Sequence, residues 1–451
     1  MRGVADVPHV WVDDPGRMAV LDRFPELRPP LDAEEALLEA DRCLDCSGPY
    51  APPPCTVACP AGVDVPRFVR ELAAGQTLDA ARTIYRENLL GGTCARVCPV
   101  EVLCQSACVL SHIGQEPIEI AALQRHATDV ARDHGLPLRA RPSARALRAA
   151  VVGAGPAGLS CAGELAARGF DVVVFDEHTE VGGIVRTAIA PYRQLVDPLP
   201  AERLALEQLG VRFELGVRID SPERLAELVG HADAVFVGVG LGADRPLDCL
   251  GADLAGSWPS LEFIDAIKRG EPIDLGRNVV VLGGGNTAID VAREAIRLGA
   301  ETVTLAYRRT RELMPAYAFE VADAEAEGVA FEWLVAPVAL LGSGRVEAIV
   351  LERMRPGEGR ALEVVPDSRF TIPADTVVAA IGQEPRRDVA AWFGGVELAG
   401  GAVAIDEATG RTSVPRVYAG GDVVNGGASA VQAVAEGKRA ARAIEEALCP
   451  S

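Results

Sequence analysis

From residue 149 onward, short runs rich in valine and isoleucine alternate with longer segments rich in Ala, Leu, Arg and Glu. AAVV (149–152), DVVVF (171–175), VVVL (279–282) and TVTLAY (302–307) are such runs. That alternation predicts parallel sheets covered by helices. Two of the units combine a strand, a tight glycine turn and a helix, near Gly153 and near Gly283, and read as two separate nucleotide-binding folds. The N-terminal third has another texture. Residues 32–42 (DAEEALLEADR) predict a short helix with Asp32 as N-cap, and residues 64–88 and 117–134 carry helical patterns. Residues 136–148 (LPLRARPSARALR) are polar and basic, contain two prolines and read as a linker. Residues 1–30, with Pro8, Pro15, Pro25, Pro29 and Pro30, read as irregular.

Composition narrows the function classes. The 451 residues suffice for two to four domains. Forty-four basic against sixty-four acidic residues give a net charge of −20, which argues against nucleic acid or anionic membrane as a partner. No apolar stretch approaches the ~20 residues that span a bilayer. The first residues, MRGVADVPHVWVDDPGRM, lack the apolar run of a signal peptide. The expected location is the cytoplasm, where thiols stay reduced.

Eleven cysteines are present, eight of them between Cys43 and Cys108. Their order is Cys43-x2-Cys46-x8-Cys55-x3-Cys59-Pro60, Cys94-x3-Cys98-Pro99 and Cys104-x3-Cys108. Close pairs of thiolates from one loop, completed from elsewhere in the chain, are the ligand pattern of iron–sulfur clusters. A cysteine before proline, as at Cys59 and Cys98, ligates the other cluster in two-cluster ferredoxins. Eight thiols are enough for two four-iron clusters. Two tetrahedral zinc sites would use the same residues. A flavin site downstream would favour iron, because a redox-silent ion would serve no electron path.

Residues 149–158 read AAVVGAGPAG, so Gly153, Gly155 and Gly158 form G-x-G-x-x-G between a strand and a helix. The first glycine permits the tight turn, the second lets pyrophosphate approach the backbone, and the third allows the helix to pack closely. The next strand ends at Asp176, 23 residues past Gly153, where an acid binds ribose hydroxyls. In VVVLGGGNTAIDVA (279–292), Gly283, Gly285 and Ala288 repeat the pattern, and Asn286 and Thr287 open the helix. Its second strand ends not in an acid but in Tyr307-Arg308-Arg309. Paired guanidiniums suit a 2′-phosphate, so Arg308 and Arg309 point to NADPH rather than NADH. The alternative is a solvated strand end. Cys161, Cys249 and Cys449 are singletons, which excludes a redox-active cysteine pair beside a flavin. The six histidines form no motif, and no hydrolase signature stands out.

The cysteine ladder, GAGPAG, GGGNTAIDVAREAIRLGA, YRRTRELMPA and AGGDVV, in that order, resemble the glutamate synthase small subunit and the NADPH-oxidising part of dihydropyrimidine dehydrogenase. The resemblance covers about residues 32–448. It implies an α/β fold class with an N-terminal α-helical iron–sulfur domain and glutathione-reductase-like FAD and NADPH domains. The implied divisions are 1–135 for the cluster domain, 149–254 with 383–451 for FAD, and 255–382 for an inserted NADPH domain. Gly183 after the second strand, Arg193 in APYRQL, and Asp422 in AGGDVV match family positions near FAD. Carried over from dihydropyrimidine dehydrogenase, Cys43, Cys46, Cys55 and Cys108 would hold one [4Fe-4S] cluster. Cys59, Cys98, Cys104 and Gln124 would hold the other and leave Cys94 unligated. The reading from cysteines alone puts Cys94 in place of Gln124. The eight residues between Cys46 and Cys55 exceed the usual family spacing by an insertion, GPYAPPP.

The expected activity is oxidation of NADPH by FAD, with electrons passing through two [4Fe-4S] clusters to a partner. No side chain need act as acid or base for hydride transfer, so no catalytic residue is named. Three readings stand. The chain is the input subunit of an FMN-containing pyrimidine dehydrogenase or a glutamate synthase large subunit; or it reduces a ferredoxin-type acceptor by itself; or it is a zinc-stiffened nucleotide sensor without redox activity.

Overall fold

The computed structural model describes residues 22–46, 48, 51–137, 139–140, 142–357, 361–392 and 395–449. The irregular reading of residues 1–21 and part of the 47–54 insertion lie outside them.

The N-terminal part is helical. Helix Ala33–Asp41 begins with a capping box, in which the Asp32 carboxylate accepts from Glu34 and Glu35 amides and the Glu35 side chain returns to Asp32. The helical pattern at 64–88 resolves into two helices, Val65–Ala73 and Thr77–Glu87. Gly75 at φ +71 breaks the run, because an L side chain is disfavoured there and the chain must turn. Gly91–Val97 and Ile120–Asp133 complete the layer, the latter starting three residues later than its pattern.

A parallel five-stranded sheet follows, in the order Val417–Ala419, Ala234–Val237, Arg148–Val152, Asp171–Asp176 and Arg212–Leu215. A second parallel sheet has the order Ser257–Pro259, Thr376–Ala380, Asn278–Gly283, Thr302–Tyr307 and Ala330–Trp333. The C-terminal strand 417–419 returning to the first sheet makes the second an insertion in the chain path. A third sheet went unforeseen: Val335–Leu341, Ala348–Pro356, Leu362–Val364 and Phe370–Pro373 form an antiparallel sheet beside the second.

One hydrophobic core runs without a break from the helical part into the first sheet's helices, including Phe68, Ile84, Leu89, Leu123, Leu159, Leu165, Leu206 and Ile444. Gly163 makes room for it, since a Cβ there would lie 2.5 Å from both Leu89 and Leu206 side chains. Lys438, on the C-terminal helix Ala430–Leu448, donates at 3.0 Å to Ala61 and Glu87 carbonyls and pairs with the Glu87 carboxylate. Buried Glu202 accepts from the Thr93 amide at 3.0 Å and its hydroxyl at 2.6 Å. Burial, countered in part by these bonds, pushes the Glu202 carboxyl up to about 7.

Candidate cofactor cleft and cysteine centres

Both glycine turns open onto one cavity of about 1600 Å³ at the strand ends of the two parallel sheets. From the first half it is lined by Gly153, Gly155, Asp176, Gly183 and Asp422, and from the second by Gly283, Gly285, Asn286, Thr287, Arg308 and Arg309. Arg193 lines it as well.

The glycines separate by role. Gly153 has φ +104, and a Cβ on it would lie 2.4 Å from the Gly238 carbonyl; Gly283 has φ +142 and would meet Ala380 O at 2.1 Å. These two are required by the turn itself. A Cβ on Gly158 would sit 1.9 Å from Gly153 O, so only glycine lets that helix approach. Gly155 and Gly285 differ. A Cβ on Gly155 would find only Gly238 O, at 4.0 Å, and one on Gly285 would meet nothing within 4 Å. They are the N-caps of helices Pro156–Ala166 and Asn286–Leu298, and no side chain caps either helix. Small residues with space in front, at helix N-termini, are what a pyrophosphate needs.

Asp176 accepts from the Ala154 amide at 2.6 Å and from the His178 amide and ring. Burial opposes its charge, but His178 and these amides outweigh it and hold the carboxyl below its ordinary value. Gly183, at φ +54, packs its Cα face on the first turn: a Cβ would stand 3.2 Å from Gly155 Cα. Asp422 opens the short helix Asp422–Asn425 and accepts from the Ala428 amide at 3.1 Å. Burial raises its carboxyl. Arg308 and Arg309 follow strand Thr302–Tyr307, and neither has a carboxylate partner among the described residues. Asn286 spends its oxygen on the Tyr317 amide at 2.9 Å, which ties the 314–317 loop over the second turn. Arg193 is engaged by two carboxylates of the second half, Asp290 and Glu320.

The cysteines fall into two groups. Cys43, Cys46, Cys55 and Cys108 line a small recess walled by Val65, Val69, Leu110, Ile118 and Ile120. Cys43 follows the first helix, with its amide bonded to Ala40 O, and Asp45 at φ +44 makes the tight turn to Cys46. Burial, then mutual repulsion with Cys43 and Cys108, pushes the Cys55 thiol up to about 12. Cys59, Cys94, Cys98 and Cys104 form the second group. Burial raises Cys104 to about 12, with repulsion from both Cys59 and Cys55, so it sits within electrostatic reach of both groups. Cys94 lies one turn before Cys98, on helix Gly91–Val97, and its neighbouring thiol together with burial raises the Cys98 thiol well above its ordinary value. Gln124 is buried, and its Nε2 donates to Gly91 O at 2.8 Å on the helix carrying Cys94. Among the described residues no three His, Cys, Asp or Glu side chains close up enough to hold one metal ion. Cys46 is the exposed member of the eight.

Sequence reasoning missed that Val97 and Pro99, which flank Cys98, line the nucleotide cleft. The C-P dipeptide was the available signal, but not its contact with a domain that begins some fifty residues later. Cys161 is buried in helix Pro156–Ala166, and no disulfide forms among the eleven cysteines.

Comparison with known proteins bears directly on this arrangement. Residues 147–437 match the pyridine nucleotide-disulphide oxidoreductase family, and residues 20–136 match the dihydropyrimidine dehydrogenase domain II, 4Fe-4S cluster family. The glutamate synthase [NADPH] small chain of Halomonas elongata is 37% identical over 94% of this chain and 93% of its own. The chain belongs to the glutamate synthase small-subunit family. Members of the family so defined are flavin, NAD(P)H and iron–sulfur oxidoreductases, and this oxidoreductase hands its electrons to a redox partner protein. It carries an FAD- and NADPH-binding pair of domains and a 4Fe-4S-type domain, so the zinc-sensor reading falls. Relatives include the NADP(+)-dependent formate dehydrogenase subunit beta of Moorella thermoacetica, 37% identical over 89% of this chain and 60% of that one. Among solved structures, FprA from Mycobacterium tuberculosis in complex with NADPH aligns with a TM-score of 0.56 at 22% identity, over 67% of this chain and 85% of that one. Thioredoxin reductase of T. acidophilum aligns at 0.53 and 22%, over 66% and 98%. Both share the fold of the paired nucleotide domains. No helix among the described residues is long and apolar enough to cross a membrane.

Proposed function

We propose that this oxidoreductase is the NADPH-oxidising input subunit of a two-protein enzyme, its partner being of the glutamate synthase large-subunit type. The relatives that match over more than nine-tenths of both chains favour that partner over a pyrimidine dehydrogenase. Gly153, Gly155, Gly158, Asp176, Gly183 and Asp422 hold FAD, within residues 149–254 and 383–451. Gly283, Gly285, Asn286 and Thr287 hold NADPH, within 255–382, and Arg308 and Arg309 take its 2′-phosphate. Bound FAD supplies two-electron acceptance of a hydride and one-electron release to iron–sulfur clusters. The chain's own groups bind and orient; none is needed as acid or base.

Residues 1–135 hold two [4Fe-4S] clusters, one on Cys43, Cys46, Cys55 and Cys108, the other on Cys59, Cys98, Cys104 and Gln124. Cys94 is then a buried neighbour of Cys98 rather than a ligand.

One observation carries the reading: the cleft that joins both glycine turns also touches Val97 and Pro99 beside Cys98. Cys104 feels the charge of both Cys59 and Cys55, and Cys46 of the first group is exposed. Clusters on the two groups would therefore form a line from cleft to surface. The test is purification under anaerobic conditions with metal analysis, followed by NADPH-driven assays with co-purified partner. About eight irons and eight sulfides per chain and glutamate formation from glutamine plus 2-oxoglutarate are expected. Activity with uracil, or only with a free ferredoxin, would overturn the partner assignment; about four irons would overturn the second cluster.

A further inference from the structure

We propose that Tyr192, with the segment Phe24–Arg28 packed on it, is a positioning device that sets the NADPH half against the FAD half, and that Arg193 serves this latch through Nε and Nη2. The proposal rests on the reading of the cleft given above.

The two halves are joined covalently where the chain crosses twice. There Gly242 and Glu384, Ala243 and Glu384, and Arg245 and Gly382 pair through backbone bonds of 2.8–2.9 Å. A narrow pair of strands like this can flex. A second, independent tie restrains it. The loop of Tyr192 and Arg193 leaves the FAD half and enters the NADPH half. The Tyr192 hydroxyl donates to Asp290 on helix Asn286–Leu298. Arg193 donates to the same carboxylate through Nε at 3.0 Å and Nη2 at 2.6 Å, and Nη2 also reaches Glu320. The Tyr192 ring is fully buried, with the Arg293 and Arg297 guanidiniums 4.9 and 4.6 Å from its centroid. Arg193 thus turns three of its five N–H donors, those on Nε and Nη2, to two buried carboxylates of the opposite half.

The N-terminal segment reinforces this tie and extends it to the cysteine region. Phe24 is 1% exposed, inside the core of the NADPH half together with Tyr192 and Phe263. The Leu27 amide donates to Tyr192 O at 2.7 Å, and Arg23 reaches Leu298 O at 3.1 Å. Glu26 pairs with Arg125 at 2.8 Å on the helix that bears Gln124. Arg28 pairs with Glu101 and donates at 3.0 Å to Cys98 O. Within five residues one strand of chain thus grips the NADPH half, the latch loop and the loop of the second cysteine group. Neither Phe24 nor Tyr192 lines the cleft. Their effect on hydride transfer must come through the placement of the NADPH half.

That separation makes the test selective. Holoprotein carrying Phe24→Ala, Phe24→Leu or Tyr192→Phe is mixed in stopped flow with NADPH, and separately with 1-benzyl-1,4-dihydronicotinamide, which carries no adenosine and needs no NADPH half. Flavin bleaching by NADPH should slow about ten- to a hundredfold in Phe24→Ala and less in Tyr192→Phe, while the small donor stays within about twofold of wild type. FAD and iron content should be unchanged, and Phe24→Leu should recover most of the rate. Should Phe24→Ala not fold, Tyr192→Phe, which keeps the ring, carries the test. Unchanged NADPH rates in both variants would overturn the latch. Equal slowing with both donors, or loss of FAD, would also overturn it, by placing these residues in the flavin site. Wild-type flavin that NADPH never bleaches would overturn the reading of the cleft, and the latch with it.

Discussion

Replacing Gly285 by alanine should separate binding from folding. The backbone there, at φ −86 and ψ 174, is extended and accepts any L-residue. The added methyl meets no protein atom within 4 Å. Glycine-to-alanine changes at compatible positions stabilise by ~0.4–1 kcal/mol, because the unfolded chain loses freedom. The melting temperature of the NADPH-free holoprotein should thus hold or rise slightly. The methyl occupies the space through which pyrophosphate approaches the helix N-terminus. Pushing it outward forfeits one charge-assisted hydrogen bond or more, at ~1.5–3 kcal/mol each. At 1.36 kcal/mol per decade, that is about ten- to a hundredfold weaker NADPH binding. The assay pairs a thermal melt with NADPH titration followed by flavin bleaching under anaerobic conditions. Undiminished NADPH affinity would refute the placement of pyrophosphate. A fall of several degrees in melting temperature would refute the claim that the space is open. Gly158→Ala is the control: a Cβ 1.9 Å from Gly153 O should cost folding itself.

Cys94→Ala should retain about eight irons per chain, whereas Cys98→Ala should lose about four with the corresponding low-temperature EPR signal. Replacing Arg308 and Arg309 together by glutamine should raise the KM for NADPH about ten- to a hundredfold and leave NADH oxidation nearly unchanged, as steady-state kinetics with both nucleotides will show. Glu202 imposes a pH dependence. Its folded value, near 7, lies above the unfolded one, so the native state holds a proton that the unfolded chain releases. Stability from this group is full below about pH 4.5 and is lost as pH rises through about 7, by a few kcal/mol in all. Melts at pH 5 and pH 8 should show a larger loss in wild type than in Glu202→Gln; parallel losses would contradict the assignment.

The nucleotide turns were legible to the residue because their chemistry is local. Strand Thr302–Tyr307 and the acid at Asp176 follow from five or six consecutive side chains and one glycine. The cysteine ladder was legible for the same reason. What escaped was decided by distant segments. Arg193 stands by motif at a position near FAD and lines the cleft, but its partner Asp290 lies 97 residues on, and nothing in APYRQL signals that carboxylate. The antiparallel sheet at 335–373 pairs strands such as AIVLERMRP, whose pattern is mixed, and its register comes from neighbours rather than from its own sequence. Phe24 sat among prolines that read as irregular, and irregular it is, but anchored by one buried ring.

The unbroken core that passes from the cysteine helices into the helices of the first sheet has a consequence for biogenesis. Modules that share a core melt together, so heating should give a single transition for both. A cell starved of iron would then forfeit more than the iron–sulfur centre. The vacated helices would loosen Leu89 from Gly163, and the flavin half would be exposed to proteolysis before a partner could shelter it.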